Sequence, residues 1–469
     1  MRALLGFFTP VLVVALVAVI SGAAPAATAF PPSVDADVLV IGGTPGGIAA
    51  AIGAARAGAR VMLMEPGASL GGVITTAWLT TFDMNIGEDG EHLTRGVFLE
   101  IYRHLGISFD PDEAARAFGR AAVSEPGVRV VTHAALVRLN MQGGRIVAAE
   151  FRDRLWRRTI VVRAKQVIDA TDDGDVAAAA GVTFNVGRPA YLGRDRWMQA
   201  ATLIFRVGGA NWQHLAADIR SRLDSGDSPV LWGVNGRAAW GYADIMARYR
   251  PTDPRVVAYP LNLALQHDGS ILINALNVTG VNGLDPASVW EGLSVARSEL
   301  PHLVAYLRDA IPGFERARLL DHAPAMYIRE TRHIAGLYTL RVEDILAEEV
   351  FHDRIGVASY PIDIHPYHAG WRNPYAPDSI SYTLPYRAIV PRGVENLLMA
   401  SRAFSATSEA HGSARVVPTV MALGQAAGVA AALCAQRGRS PHEVAADPAL
   451  MRQVQWALIG QGVYLRWRP

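Results

Sequence analysis

Two short segments of the chain carry side chains that suit acid–base chemistry. Residues 409–415 contain His411 and Arg415, and a second segment contains Asp363 and His365. Histidine titrates near neutral pH, so it can accept a proton from an alcohol that is being oxidised. Arginine can hold an anionic substrate or stabilise a developing negative charge. We expect His411 and Arg415 to form a catalytic face, with Asp363 or His365 sharing the role of the base.

Other interpretations of these residues stay open at this point. His411 could pack and Arg415 could bond carbonyl groups, so that both merely fix a loop. Asp363 and His365, two positions apart, would leave the same face of a strand and either present themselves to the cofactor or form structural hydrogen bonds only. With His368 they also form an Asp-x-His-x-x-His pattern, but one short cluster rarely fixes a metal ion alone, and we predict no metal site. The charged run at residues 329–333 is either solvated surface or part of the chemistry.

A glycine-rich turn near the start of the chain has the composition of a nucleotide-binding turn. Residues 38–41 are β-branched or aliphatic, as in a strand buried on both faces of a parallel sheet. Glycines at a strand-to-helix turn let the backbone approach a pyrophosphate, and the helix N-terminus attracts its charge. Because the fingerprint has glycine where Thr44 stands, an ordinary α/β turn is the alternative. The turn consists of Gly42, Gly43, Thr44, Pro45, Gly46 and Gly47.

The segment after this turn completes a βαβ half-unit. Residues 48–57 are an Ala-rich helix, which Gly58 is placed to end in the left-handed conformation. Residues 60–64 form a second strand, and Glu65 follows it. An acidic residue at this position meets the ribose hydroxyls of adenosine. The half-unit therefore predicts a bound dinucleotide.

Three segments together resemble a known family. They are GGTPGGIAAA at residues 42–51, LGGVIT at residues 70–75 and GSARVVPTVMALGQAAG at residues 412–428. With them the chain resembles the FAD-dependent oxidoreductases of the glutathione-reductase-like flavoprotein superfamily, in the subgroup with heterodisulfide-reductase-A-like flavin domains. The resemblance implies an α/β fold: an FAD-binding Rossmann domain, whose parallel sheet carries a β-meander, plus a mixed α+β substrate domain.

The resemblance also implies FAD as the cofactor and a set of residues that bind it. A side chain at Gly42 or Gly47 would then occupy the place of a phosphate, so valine at either position should abolish FAD retention. The alternatives are an ordinary glycine loop at Gly71-Gly72 and a purely structural helix after Pro418. The implied set is Gly42, Gly43, Thr44, Pro45, Gly46, Gly47, Glu65, Gly71, Gly72, Thr75, Val130, Thr171, Arg402, Pro418 and Thr419.

Local patterns predict the elements that position these residues. We expect a hairpin turn at Gly143-Gly144 and a loop close to the cofactor at Gly71-Gly72. A loop over residues 404–417 should lead into a helix whose N-terminus points at the flavin. The other predicted helices are residues 91–105, 111–123 and 287–310, and the other predicted strands are residues 128–139, 145–152, 157–163, 167–171 and 396–401, with a hairpin within 259–274.

The chain divides into five predicted regions. Residues 1–29 read as a signal peptide, with Arg2, an apolar run and a small-residue cleavage site; an N-terminal membrane anchor is the alternative. The FAD-binding domain is discontinuous, in residues 30–184 and 386–440. A substrate or cap domain, residues 185–385, separates its two parts, and a helical tail covers residues 441–469.

Composition excludes several classes of protein. The 44 basic and 43 acidic residues nearly balance, so no field favours nucleic acid. The single cysteine, Cys434, cannot supply the ligands of an iron–sulfur cluster. Since no second glycine fingerprint lies between a strand and a helix, we expect no NAD(P)H-binding domain and a small-molecule substrate that reduces the flavin itself.

These patterns together favour an exported oxidoreductase. We expect it to remove a hydride from a small organic substrate and to pass the electrons to oxygen or another acceptor. A flavin-dependent reductase working in the opposite direction is the alternative within the same class. A non-catalytic extracytoplasmic binding protein with a relict nucleotide fold is the alternative outside it.

Overall fold

The structure of the protein is a computed structural model that describes residues 33–188, 197–225, 232–376 and 378–465. The predicted signal peptide lies outside the described residues. In the described parts, strands and helices alternate first, then antiparallel strands dominate, and helices close the chain. The strands are β1 (Ser33–Ile41), β2 (Val61–Met64), β3 (Val128–Val131), β4 (Ala134–Gln142), β5 (Arg145–Asp153), β6 (Thr159–Asp169), β7 (Phe184–Val186), β8 (Ala201–Thr202), β9 (Phe205–Gly208), β10 (Gly233–Asn235), β11 (Ala238–Gly241), β12 (Val256–Leu265), β13 (Ile271–Val278), β14 (Arg318–His322), β15 (Arg332–Ile334), β16 (Arg354–Ala358), β17 (Tyr382–Pro385) and β18 (Leu397–Met399).

The two longest helices are α8 in the central part of the chain and α11 near its end. A short 3₁₀ helix, Tyr386–Ile389, precedes the last strand. The α-helices are α1 (Pro45–Arg56), α2 (Val73–Thr76), α3 (Val97–Leu105), α4 (Pro111–Val123), α5 (Asp175–Ala179), α6 (Trp212–Asp224), α7 (Ala243–Met246), α8 (Pro286–Ala310), α9 (Val342–Leu346), α10 (Ser408–Ala414), α11 (Val417–Arg437), α12 (Pro441–Ala446) and α13 (Pro448–Gly460).

The first sheet is an α/β, Rossmann-like sheet with an inserted antiparallel meander. Its order is β3-β2-β1-β6-β5-β4, and β18 pairs with the end of β6. Strands β3, β2, β1, β6 and β18 run parallel, whereas β4, β5 and β6 form antiparallel pairs. The predicted hairpin turn between β4 and β5 is confirmed, and both Gly143 and Gly144 have positive φ. The predicted parallel sheet with a β-meander is thus present.

Two strand predictions in this sheet differ from the structure. The strand expected over residues 128–139 is two strands, because His133 takes a positive φ of 57° and breaks it. The strands expected at residues 157–163 and 167–171 are a single continuous strand, β6, without a break between them. The long β6 pairs with β1 from Val161 to Asp169 on one side, while β5 and β18 share its other side.

The central part of the chain forms a second sheet. Its order is β10-β11-β12-β13-β9-β14, with β8 also pairing β13, and every pair is antiparallel. The predicted hairpin is present as β12 and β13. Helix α8 begins at Pro286, one residue before the predicted start, and ends at Ala310.

Helix α11 lies in the core of the molecule and packs closely against α1. A Cβ atom at Gly424 would lie 2.1 Å from the Gly46 carbonyl oxygen, and one at Gly428 would lie 2.0 Å from that of Ala50. The backbones of the two helices can approach this closely only because these positions lack side chains. Among the described helices, α11 alone is long and apolar enough to cross a membrane, but 94% of its most apolar window is buried inside the molecule.

Three predicted elements near the site have a different form in the structure. Helix α3 begins at Val97 and not at residue 91, because Gly96 precedes it with a positive φ. The loop expected over residues 404–417 contains helix α10, whose first turn the Thr407 hydroxyl caps. The expected strand at Asp363 and His365 is irregular, since Pro361 and Pro366 on either side cannot donate to a ladder.

Candidate functional site

The glycine-rich turn lies at the switch point of the first sheet. The chain leaves β1 toward β2 on one side, and β6 pairs with β1 on the other side. In open α/β sheets, ligands bind beyond the carboxyl ends of the strands at such a point. The turn connects β1 to α1 there, so the N-terminus of α1 is available to a phosphate group.

The two outer glycines of the turn are required by the protein backbone. A Cβ at Gly42 would lie 2.4 Å from the Ala170 carbonyl oxygen, and one at Gly47 would lie 2.0 Å from that of Gly42. A side chain at either position would therefore meet the protein backbone itself, whether or not a phosphate group also lies there. Valine at Gly42 or Gly47 would displace the end of β6 or distort the turn itself, so loss of FAD would follow from damage to the turn.

Thr44, the departure from the fingerprint, stabilises the turn. Its hydroxyl donates to the Ala170 carbonyl oxygen at 2.9 Å and accepts from the Gly47 N–H at 3.2 Å. The side chain therefore caps α1 and ties it to the end of β6. Pro45 occupies the first position of α1, where its missing N–H costs nothing.

Glu65 joins the turn to the end of β2. Its carboxylate accepts from the Gly43 N–H at 2.7 Å and from the Gly67 N–H at 2.6 Å. Burial raises the pKa of the Glu65 carboxyl, and these two N–H groups oppose the rise. Glu65 thus lies beside the turn, at the place expected for contact with the adenosine ribose.

We expect Glu65→Gln to weaken FAD binding roughly tenfold, because an amide cannot accept from both backbone N–H groups as the carboxylate does. Fluorescence titration of the apoprotein with FAD measures the change in Kd. Glu100→Gln is the matched control, since Glu100 is half-exposed and pairs with Arg56 on the surface. An unchanged Kd in Glu65→Gln would show that the Glu65 carboxylate does not contribute to FAD binding.

The predicted loop at Gly71 and Gly72 packs directly against the turn. The Gly71 N–H donates to the Gly43 carbonyl oxygen at 2.8 Å, and a Cβ at Gly72 would lie 3.3 Å from the Cα of Thr44. The loop leads into the short helix α2, in which the Thr75 hydroxyl donates to the Gly72 carbonyl oxygen. Val130 lies on β3 and pairs with Leu63 of β2, so it borders the same end of the sheet.

Arg402 and Thr171 follow the ends of β18 and β6, which pair with each other. The Arg402 guanidinium lies 2.7 Å from Asp173 and 3.4 Å from Asp172, and its Nε has no partner among the described residues. Thr171 donates to Asp169 at 2.6 Å and accepts from the Asp175 N–H. An incompletely bonded guanidinium beside the turn suits an anionic cofactor.

The N-terminus of α11 completes this side of the site. Pro418 lies in its first turn, and the Thr419 hydroxyl accepts from the Asn85 side chain at 2.9 Å. Asn85 also accepts from the Ser359 N–H, so it connects the segment after α2 to the segment that carries Asp363. The two helix N-termini, the free Arg402 Nε and the glycine turn fit a flavin dinucleotide.

The candidate catalytic residue Asp363 contacts two of the others, His365 and Arg415. The Asp363 carboxylate lies 3.2 Å from His365 Nε2 and accepts from Arg415 Nη2 at 3.0 Å. Burial acts to raise the pKa of Asp363, but His365 and Arg415 outweigh it and hold this pKa well below its usual range. Asp363 is therefore an anion that orients both neighbours.

His365 has the properties of a general base. Burial, with the charge of Arg329, lowers the pKa of His365 to about 4, so its imidazole is neutral at physiological pH. Its Nε2 faces Asp363, which assigns the proton to that nitrogen. Its Nδ1 is buried and has no partner among the described residues. That nitrogen can accept a proton from a substrate.

His411 lies in a separate cluster. Its Nε2 is 3.1 Å from the Arg402 carbonyl oxygen, and its ring meets the ring of His333 edge-to-face at 4.9 Å. Behind it, His333 and Ser408 both bond to the carboxylate of Glu330. Burial lowers the pKa of His411 well below its usual value. The structure therefore brings three of the four candidate catalytic residues together and leaves His411 apart.

Sequence reasoning missed several residues that surround the three. Tyr259 stacks on His365 with 4.5 Å between ring centroids, and Tyr327 accepts from Arg415 Nη1 at 3.0 Å. Burial raises the pKa of Asp83, which also faces Arg415, to about 6. Arg329 is 1% exposed, so the charged run at residues 329–333 is not solvated surface. The only sign in the sequence that these residues belong to the site was that Tyr327 lies two positions before the charged run.

The fold and this site together define an FAD-binding oxidoreductase with a Rossmann-like sheet. The model of the family described as FAD dependent oxidoreductase matches residues 37–458, and the chain belongs to that family. The protein is therefore an enzyme, its cofactor is FAD, and the interpretation as a relict binding protein is not favoured. No curated protein matches the chain.

Several solved structures are similar to this chain at low identity. The p-nitrophenol 4-monooxygenase PnpA from Pseudomonas putida DLL-E4 has 12% identity and a TM-score of 0.46, over 94% of this chain and 91% of that one. A geranylgeranyl bacteriochlorophyll reductase-like protein from Thermoplasma acidophilum has 12% identity and a TM-score of 0.42, over 92% of this chain and 85% of that one. The family assignment does not depend on these similarities.

Proposed function

We propose that the enzyme removes a hydride from a small organic substrate and passes the electrons to oxygen or another acceptor. The observation that carries this proposal is the buried contact of Asp363, His365 and Arg415. Perturbed acid–base groups in such a cluster are typical of catalytic sites. Bound FAD supplies the acceptor for the hydride.

The chain's own residues supply the acid–base chemistry in this proposal. His365 accepts the substrate proton at Nδ1, while Asp363 holds the proton at Nε2 and stabilises the imidazolium that forms. Arg415 holds Asp363 in place and bonds Tyr327, which limits the movement of the site. The His411 ring bonds the Arg402 carbonyl oxygen and so positions α10 against the Arg402 backbone, and its own carbonyl oxygen accepts from the Arg415 N–H.

We further propose that the enzyme is exported and belongs to the glutathione-reductase-like superfamily, in the subgroup with heterodisulfide-reductase-A-like flavin domains. The apolar N-terminal segment supports export, and the three motifs at residues 42–51, 70–75 and 412–428 support the subgroup. The absence of a second glycine fingerprint in the sequence supports a substrate that reduces the flavin without NAD(P)H.

Anaerobic reduction of the flavin tests the reaction. The purified holoenzyme is mixed with alcohols, sugars, amines and organic acids, and the loss of the oxidised flavin absorbance is followed. We expect one class of compound to bleach the flavin and air to restore its colour. Bleaching by NADH or NADPH alone, with none by these compounds, would instead support the reductase.

We expect the rate constant of flavin reduction to stay constant from pH 8 to about pH 5 and to fall as the pH approaches about 4, the value of the His365 pKa. The base form of His365 is lost only there, because burial holds this pKa below that of a solvated histidine. Rapid-mixing absorbance measures the profile. Asp83→Asn serves as the comparison, since burial raises the pKa of Asp83, in the same cluster, to about 6. A midpoint near 6.5 in both proteins would contradict a buried, neutral base.

A further inference from the structure

Arg329 is the most deeply buried charged group beside the proposed base. Its guanidinium Nη1 donates to the Ala200 carbonyl oxygen at 2.9 Å and to the Thr202 hydroxyl at 2.6 Å. Its Cζ lies 4.4 Å from the centroid of the Tyr327 ring. These contacts fix one edge and one face of the guanidinium, and all of them are to neutral groups.

No carboxylate lies within 4.0 Å of Arg329 among the described residues. The two other deeply buried arginines differ in this respect, because Arg402 pairs with Asp173 and Arg415 pairs with Asp363. A buried charge without an ion partner is costly, so such a group normally binds a counterion. Burial lowers the pKa of Arg329 to about 10, which still leaves it charged at neutral pH.

The nearby acids do not supply this counterion. Asp363 already shares its carboxylate between Arg415 and His365. The charge of Arg415 acts on Asp83 more strongly than that of Arg329, and Asp83 lies outside ion-pair distance of the Arg329 guanidinium. Two guanidinium groups therefore contact Tyr327, that of Arg329 at the ring and that of Arg415 at the hydroxyl group, and only Arg415 has a carboxylate partner among the described residues.

The free edge of Arg329 has the geometry of a carboxylate site. Its Nε is buried and has no partner among the described residues. Nε lies on the edge opposite to Nη1, and the Nε–Nη2 edge of a guanidinium can bind a carboxylate through two parallel hydrogen bonds. Arg415 and Arg329 both contact Tyr327, and Arg415 is held by the Asp363 carboxylate that also faces His365, so a ligand at this edge lies in the same cluster as the base.

We propose that Arg329 binds the carboxylate group of the substrate, which makes the substrate class a small organic acid. This inference rests on the proposed function, because it takes the cluster around His365 to be the substrate site. It assigns to Arg329 the anion-binding role that the sequence analysis gave to Arg415, whose charge Asp363 already balances.

Calorimetric titration of the holoenzyme with non-reducing ligands tests the inference. The probes are two matched pairs, benzoate with benzamide and acetate with acetamide. We expect the wild-type enzyme to bind each acid at least tenfold more tightly than its amide, and Arg329→Gln to weaken acid binding roughly 10- to 100-fold while amide binding changes little. Arg255→Gln is the control, because Arg255 forms exposed ion pairs with Asp253 and Glu291.

Further measurements separate the possible outcomes. The FAD content of Arg329→Gln reports whether this variant folds. If it does not fold, Arg329→Lys, which keeps the positive charge but loses the Nε–Nη2 edge, takes its place in the titration. Equal affinity for acid and amide in the wild-type enzyme would overturn the inference. A shift in the flavin midpoint potential of Arg329→Gln with unchanged acid affinity would also overturn it, because Arg329 would then face the flavin. Preference for acids without flavin bleaching by any compound would support the inference and contradict the proposed function.

Discussion

His365→Ala is expected to retain FAD and to lower the rate constant of flavin reduction by roughly two to four orders of magnitude. The reason is that the unpartnered Nδ1 of His365 is the proton acceptor, and no other histidine side chain pairs with Asp363 within the described part of the chain. Rapid mixing of the anaerobic enzyme with its substrate measures the rate constant. Added imidazole should restore part of it, since the small base can enter the space that the side chain leaves.

His411→Ala is the comparison that distinguishes the two histidines. Its ring packs against His333 and the Arg402 backbone, so we expect a loss of stability with a much smaller change in the reduction rate. His302→Ala, on the exposed face of α8, controls for the loss of a histidine as such. A large loss of rate in His411→Ala with none in His365→Ala would return the role of the base to His411.

Gly428→Ala is expected to lower the free energy of unfolding by about 3 kcal/mol, the upper end for overpacking a buried site. The added methyl group would lie 2.0 Å from the Ala50 carbonyl oxygen and 2.8 Å from the Ala54 backbone nitrogen. Both are backbone atoms, so no side chain can rotate away and the two helices must separate. Gly424→Ala, which meets the Gly46 carbonyl oxygen at 2.1 Å, should also release FAD because it moves the turn.

Gly119→Ala is the matched control for both substitutions. Gly119 lies within α4 with nothing within 4 Å of its added Cβ, so alanine should stabilise the protein by up to about 1 kcal/mol. Urea unfolding followed by fluorescence gives the midpoints of all three variants. If Gly119→Ala and Gly428→Ala shift the midpoint in the same direction, the close approach of α1 and α11 does not limit stability.

The parts of the fold that depend on local patterns could be predicted from the sequence. The glycine turn, the Ala-rich helix after it and the meander were expected, and helix α4 has the predicted bounds. Helix α10 was not, because Gly412 and Ser413 are poor helix formers and tertiary packing overrides their preference. The one local signal for it was Thr407, whose hydroxyl caps the helix.

The environment of the charged run at residues 329–333 could not be predicted in the same way. Arg329 and Glu330 are buried by Ala200, Thr202 and Gln199, which lie about 130 positions earlier in the chain. The sequence of a charged segment is the same whether water or distant protein residues surround its side chains, so the sequence alone does not reveal burial. The separation of His411 from His365 likewise depends on tertiary packing. The local sequence around each histidine does not determine which elements of the fold its side chain contacts.

The place of β18 in the first sheet has a consequence for how the enzyme reaches its native state. Asn396, just before β18, bonds the Lys165 carbonyl oxygen across 231 positions, and α11, which covers α1, follows later still. Pairings of such high contact order form slowly, since a long loop must close before any contact compensates for the lost entropy. During synthesis the cofactor turn therefore emerges long before the strand and helix that enclose it. The FAD site is therefore complete only after β18 and α11 have left the ribosome.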